Sequence, residues 1–356
     1  MLSWLGLILA SHLTDGQTKE NIRSLRYMQT FTIPYNTSFE ATRVGGLSGV
    51  DYIPADKSLI FISDDKQARF YKARLHFSDA RIDSLHFLNV WPLEGGRPGN
   101  ADAESIRFNT ETQQLFWSDE GERKVGQLRS IINPSIHIAD LAGKEIGQIP
   151  LPEILHMKQT ETGPRNNGAL EGITFNKEYN ELFTCLEEPL IEDGARASLD
   201  KGPALVRFFQ LRLPEGKQLA QYAYPLEPVA YPSVPPDGFK VNGISEILYL
   251  EGTQLLVIER SFSTGRQGCV IKVFKADFRK ATDVKQFQSL GHNQSFVPIQ
   301  KTLLLNMEAL GIYVDNVEGV TFGPTLANGH RTLLFISDNN FQETQETQLL
   351  LFEVIP

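Results

Sequence analysis

Short runs in which apolar and polar residues alternate, separated by turns of Gly, Asn, Asp and Lys, dominate the chain, and this period of two predicts β-strands throughout. The runs recur in pairs. The segments "GGLSGVDYIPADKSLIFISDD" from Gly45, "ADAESIRFNTETQQLFWSDEGE" from Ala101, "GALEGITFNKEYNELFTCLEE" from Gly168, "NGISEILYLEGTQLLVIERSF" from Asn242 and "NVEGVTFGPTLANGHRTLLFISDNNF" from Asn316 are five copies of one unit. Each opens on a small or acidic pair: Ser48-Gly49, Glu104-Ser105, Glu171-Gly172, Ser245-Glu246 and Glu318-Gly319. An alternating strand, a turn and a second strand rich in β-branched and aromatic residues follow, and the second strand closes on Asp64-Asp65, Asp119-Glu120, Glu187-Glu188, Glu259-Arg260 or Asp338-Asn339.

Two more strands fit after each pair. In the first repeat they are "ARFYKARLHF" and "RIDSLHFLNVWPL", and in the third "PALVRFFQLRL" and "KQLAQYAYPLE". Four antiparallel strands per repeat predict an all-β fold, a β-propeller. After the last pair the chain supplies only "QLLLFEVI", so the N-terminal "SLRYMQTFTI" is expected to complete that blade and close the ring. This count favours five blades, with six as the alternative should a degenerate blade be hidden. The Gly- and Pro-rich stretches "EGGRPGNADAE", "MKQTETGPRNNGALE" and "YPLEPVAYPSVPPDGFKVNG" read as loops, and "QKTLLLNMEALGIYVDN" as one short helix before the final blade.

The repeats make the chain a single domain over residues 21–356, and a hydrophobic fraction of 41% supplies its core. A net charge of −9 and a pI near 5.4 argue against nucleic acid as a partner. Cys185 and Cys269 read first as small buried hydrophobes, with a disulfide between them the alternative, and no Cys/His spacing suggests zinc. The apolar run "MLSWLGLILAS" is too short to span a bilayer; residues 1–20 are a candidate export segment, although a basic n-region and a clean cleavage site are missing.

In a propeller the first strand of each blade lines the axis, so residues at equivalent ends of those strands converge. Glu104, Glu171 and Glu318 are therefore expected to meet, with Ser48 and Ser245 completing the ring. Carboxylates brought together repel one another, and such a ring suits Ca²⁺, with Mg²⁺ the less favoured ion. Asp64, Asp119, Glu187 and Asp338 should emerge at the same rim, and Asn100, Asn166, Asn167 and Asn316 offer neutral oxygens nearby. The metal ligand set read from this pattern is Glu104, Glu171, Glu318, Asp64, Asp119 and Asn167, and the three glutamates are also the candidate catalytic residues. The alternative is that the acids are structural pins to neighbouring backbone. Of the basic residues near the rim, Arg69, Arg260, Lys66 and Arg165 are the candidates for holding a small anionic or ester substrate, ahead of Arg43, Arg123 and Arg266. A serine-hydrolase reading finds little support: "GLSGV" lacks the last glycine of a nucleophile elbow and begins a strand. The histidines form no motif, with His76 and His86 on outer strands and His137, His156, His292 and His330 in loops or turns.

The segments "DAESIRF…FWSDEGE", "NNGALEGITF", "GISEILYLEGTQLLVIERSF" and "DNVEGVTFGP…HRTLLFISDNNF" resemble, in order, the signature segments of the phytase-like domain proteins, also described as "esterase-like activity of phytase". The similarity spans about Gly45 to Ile355. It implies an exported, secreted or periplasmic β-propeller that hydrolyses phosphate or other esters. Where relatives carry Glu-Gly this chain has Glu104-Ser105, which alters the backbone freedom beside the acid. The motifs of the calcium-using alkaline propeller phytases are not visible, so none of their catalytic residues is carried over. Two further readings stand beside a metal-dependent hydrolase: a non-catalytic binding propeller, and a calcium-dependent lactonase-like propeller.

Overall fold

The computed structural model describes residues 22–96, 101–126, 130–200, 202, 204–291 and 295–356. The candidate export segment, Asn100 and His292 lie outside the described residues. Five four-stranded antiparallel sheets form a five-bladed β-propeller, with no α-helix among the described residues.

Each blade begins with an inner strand and runs outward. The inner hairpins are Leu47–Ile53 with Ser58–Ser63, Ala103–Asn109 with Gln114–Asp119, Leu170–Phe175 with Glu181–Leu186, Lys240–Glu251 with Gln254–Ser263, and Asn316–Phe322 with Thr332–Asp338. These define blades 1 to 5. Their second strands are buried on both faces, between the two adjoining blades, which explains their continuous apolar character in "LIFIS" and "LLFIS". The clusters that result, such as Phe61 and Tyr71 of blade 1 against Leu334 and Ile336 of blade 5, lie between blades and not within them.

The ring closes as the sequence pattern indicates. Ser24–Ile33 pairs with Thr347–Ile355 as the outermost strand of blade 5, with a bulge between Tyr27 and Gln29. Glu353 anchors this seam: Asn328 Nδ2 donates to it at 2.9 Å, His330 Nδ1 lies 2.6 Å away, and Arg26 forms an ion pair with it. The short helix expected in "QKTLLLNMEALGIYVDN" is instead the fourth strand of blade 4, Gln300–Asn306, followed by a single 3-10 turn at Met307–Leu310. A short apolar run satisfies both periods, and pairing with Val270–Asp277 decides for the strand. His137, expected in a loop or turn, lies in the strand Ser135–Ala139, stacked on Trp117. Cys185 and Cys269 are free thiols.

The blades touch closely at the axis. A Cβ on Gly172 would stand 2.5 Å from Glu246 Oε1 and 2.6 Å from Ile247 N of blade 4, and one on Gly49 would stand 2.8 Å from Glu104 O. We expect Gly172→Ala to cost about 1–3 kcal/mol by overpacking, read as a lower urea midpoint at unchanged slope. Where blades 1, 3 and 5 keep glycine, blades 2 and 4 carry Ser105 and Glu246. Ser105 Oγ donates to Glu246 Oε2 at 2.8 Å, and Arg107 pairs with the same oxygen at 2.9 Å while its guanidinium donates to the Val50 and Ile247 carbonyls. This buried cluster ties blades 1, 2 and 4 together and explains why a serine stands at the position after Glu104.

Candidate metal centre in the axial cavity

The inner hairpins end at one face, and their registers define two rings. The first follows the ladder pairs Leu47 with Ser63, Ala103 with Asp119, Leu170 with Leu186, Ile244 with Glu259 and Val317 with Ser337, and contains Ser48, Glu104, Glu171, Ser245 and Glu318. The second lies one residue beyond the same pairs on the return strand: Asp64, Glu120, Glu187, Arg260 and Asp338. Ser48 and Ser245 use their hydroxyls on the next blade, donating to the Ala103 and Val317 carbonyls. The acids of the first ring instead face a cavity of about 660 Å³, which Asp64, Glu120, Glu187 and Arg260 also line.

Oxygens of Asp102, Glu104 and Glu120 lie within 4.8 Å of one another, and so do those of Glu120, Glu171 and Glu187. The groups differ in how they are held. Glu120 accepts from the Gly168 and Ala169 amides of blade 3, the latter at 2.6 Å, so it does pin a neighbouring blade. Arg260 donates to Glu187 at 2.8 Å, to Asn316 Oδ1 at 2.7 Å and to Glu318. Glu171 has no such partner: the residue is 5% exposed, it lines the cavity wall, and its carboxylate takes no hydrogen bond or ion pair from any described residue.

Burial, and then the charges of Glu104, Glu187 and Glu120, push the Glu171 pKa well above the usual carboxylate range. Glu104 and Glu120 rise in the same way, desolvated and facing Asp102. Asp64 is pushed up to about 8 by burial and by Glu318, and Asp102 to about 6 by burial and Asp119. Glu318 reaches about 8 because its desolvation outweighs the attraction of Arg260. The donor set is all oxygen, as a hard cation prefers.

Of the residues read from sequence, the cavity brings together Glu104, Glu171, Glu318, Asp64, Glu187, Asn167, Asn316 and Arg260. Asp119 does not line it. Its Oδ1 accepts from the Gly121 amide, and Glu120 occupies the ring position, because adjacent strand residues face opposite sides. The acidic pair was visible in "SDEGE"; which member faces the axis was not. Asp338 likewise stays outside the lining and accepts from the Asn340 amide.

Among the candidate anion holders only Arg260 reaches the cavity. Arg69 is spent on Asp65, Tyr71 and the Arg43 carbonyl, Arg165 on the Pro189 and Gly194 carbonyls, and Lys66 is exposed. Arg266 lines the cavity, stacked over Tyr231. Asp102 and Arg196 also line it; Asp102 sits beside Glu104 in sequence, whereas nothing local marks Arg196, which pairs with Glu188 at 3.0 Å.

A five-bladed propeller with a carboxylate-lined axial cavity is thus the class that fold and site define. The chain belongs to the Phytase-like family, described as "esterase-like activity of phytase", whose model matches residues 42–341. No curated protein matches it. Among solved structures it is similar to a GH43 β-1,3-galactosidase at 9% identity, covering 92% of this chain and 94% of that one, with a TM-score of 0.48. It is also similar to an endo-arabinase from Bacteroides thetaiotaomicron (12% identity, 92% and 97% covered, TM-score 0.43) and a periplasmic gluconolactonase from Pseudomonas aeruginosa (11%, 96% and 97%, 0.38). These likenesses concern the fold alone.

Proposed function

We propose that the protein is a metal-dependent ester hydrolase, acting on phosphate or related esters, whose centre is the axial carboxylate cluster. The observation that carries this reading is Glu171, a carboxylate buried at the cavity wall without a partner, beside two acidic triads. A structural pin would be hydrogen-bonded, as Glu120 is. Glu104, Glu120, Glu171 and Glu187, with Asp102 and Asp64, would hold Ca²⁺, and the ion would supply Lewis-acid polarisation of the ester. Arg260, held by Glu187, Asn316 and Glu318, places one positive group beside the cluster, partly neutralised by those carboxylates. The buried Arg107–Glu246 pair lies outside the lining of this cavity and joins blades 2 and 4. Export to a secreted or periplasmic setting is part of this reading; it is supported by the family and by the apolar run near Met1, and N-terminal sequencing of the mature protein tests it.

The test pairs elemental analysis of purified protein with an ester panel in EDTA and in Ca²⁺, on wild type and Glu171→Gln. We expect a stoichiometric ion and calcium-dependent hydrolysis. In the variant, activity should fall by at least the ~10–100-fold that losing even an outer partner costs a metal site. In EDTA near neutral pH the variant should melt at a higher temperature than wild type, since it no longer has to keep a buried carboxyl protonated, or ionised among like charges. A variant less stable in EDTA, with no metal in the wild type, would make Glu171 structural and favour the non-catalytic binding propeller.

A further inference from the structure

We propose that the preferred substrate carries an apolar acyl arm, which lies along a wall raised by blade 4, and that a polyphosphate is a poor substrate. This rests on the hydrolase reading above and names the substrate class of that site.

Blade 4 differs from the others in its inner hairpin. The other four hairpins stop at or within one rung of the ring pairs, whereas blade 4 continues past Ile244 and Glu259 through Gly243 with Arg260, Asn242 with Ser261, Val241 with Phe262 and Lys240 with Ser263. Alternation splits this extension into two faces. Asn242 turns to blade 3's side, donating to Glu259 and to the Glu227 carbonyl. Val241 and Phe262 line the cavity, together with Phe239, whose ring lies 6.1 Å from that of Phe262. Phe239 is 56% exposed, an aromatic ring left in solvent at the mouth of a charged cavity. Phe262 stands two residues beyond Arg260 on the same face of the hairpin, so the wall is within reach of the acyl chain of an ester held at the carboxylate centre.

Charge argues in the same direction. Eight carboxylates line the cavity against three guanidiniums, of which Arg260 is committed to Glu187 and Glu318 and Arg196 to Glu188. The lining thus has little uncommitted positive charge to offer a ligand bearing many phosphates. In the reaction, water oxygen bonds to the acyl carbon and the carbon–oxygen bond to the alcohol breaks. The alcohol leaves with one proton of the water, and the other is released with the carboxylate product.

The test uses the full chain in excess Ca²⁺ with p-nitrophenyl acetate, butyrate and octanoate and with myo-inositol hexakisphosphate. We expect kcat/KM to rise by about fourfold for each methylene the wall covers, and to exceed that for the hexakisphosphate. In Phe239→Ser the dependence on chain length should flatten; the residue is exposed, so the fold tolerates the change. Calorimetric titration with octanamide provides a readout independent of turnover. Octanamide binding that weakens in Phe239→Ser, without hydrolysis of any ester, would uphold the apolar wall and sink the hydrolase reading. Hydrolysis with no chain-length dependence, or with hexakisphosphate preferred, would overturn the wall and leave the hydrolase reading standing. Absence of octanamide binding also overturns it.

Discussion

In EDTA the protein is expected to lose stability as pH rises from 5 to 8, and Ca²⁺ is expected to restore it. Burial and mutual repulsion raise the carboxylates of the axial cavity, Asp64 and Glu318 to about 8, and Glu104, Glu120 and Glu171 well above the usual carboxylate range. In the unfolded chain these groups titrate near 4. Between those values the native state holds protons that the unfolded state has released, so stability falls with rising pH across that window. If a single carboxylate must ionise between pH 5 and 8, the loss is roughly 3–4 kcal/mol. Glu353 acts in the opposite sense. Against its own desolvation, hydrogen bonds from Asn328 and His330 and the charge of Arg26 hold it below its ordinary value, so its contribution is lost as pH falls through that lowered value. Stability without metal should therefore peak near pH 5. Ca²⁺ binds the ionised cluster and adds stability by mass action, most at pH 8. Thermal melts at pH 5, 6.5 and 8, with EDTA or Ca²⁺, check this; a calcium-independent melt that rises toward pH 8 would remove the case for a cation.

Arg207→Ala is expected to destabilise the fold by about 3–5 kcal/mol, because it leaves Asp193 buried and unpaired. Both side chains are fully buried, with Arg207 Nε 2.7 Å and Nη2 2.9 Å from the two Asp193 oxygens. The guanidinium also donates to Gln221 and to the Phe287 carbonyl, and the Leu290 amide donates to Asp193. This pair ties blade 3 to the long connection that leads to the outermost strand of blade 4. Replacing both partners together, as Arg207→Met with Asp193→Leu, removes both charges and should recover most of the loss. Urea midpoints of the two single variants and the double variant give the coupling. A double variant as unstable as Arg207→Ala would mean that the cost is packing rather than an orphaned charge.

Much of the architecture was legible in the chain. The period of two, the fivefold repeat and the missing fourth strand of the last repeat led to five blades closed by the N-terminal strand. The helix expected over 300–316 failed because an apolar run of that length is compatible with either period until a neighbouring strand pairs with it. The convergence of Glu104, Glu171 and Glu318 followed from their equivalent places in three repeats, and the cavity brings them together.

What the sequence by itself determined was therefore repetitive: strand pattern, propeller class, closure by the N-terminal strand and the acids at equivalent positions, all of which local periodicity encodes, while the count of five over six was settled by the sheets. Only the tertiary structure decided which acid of each pair faces the axis, since a shift of one residue turns Asp119 away and Glu120 in. It also decided that Arg260 rather than Arg69 meets the carboxylates, that Ser105, Arg107 and Glu246 tie blades 2 and 4 together, and that Val241 and Phe262 line the cavity. The first and last of these depend on the exact register of a hairpin, and the others on contacts between blades far apart in the chain, neither of which the repeat pattern records.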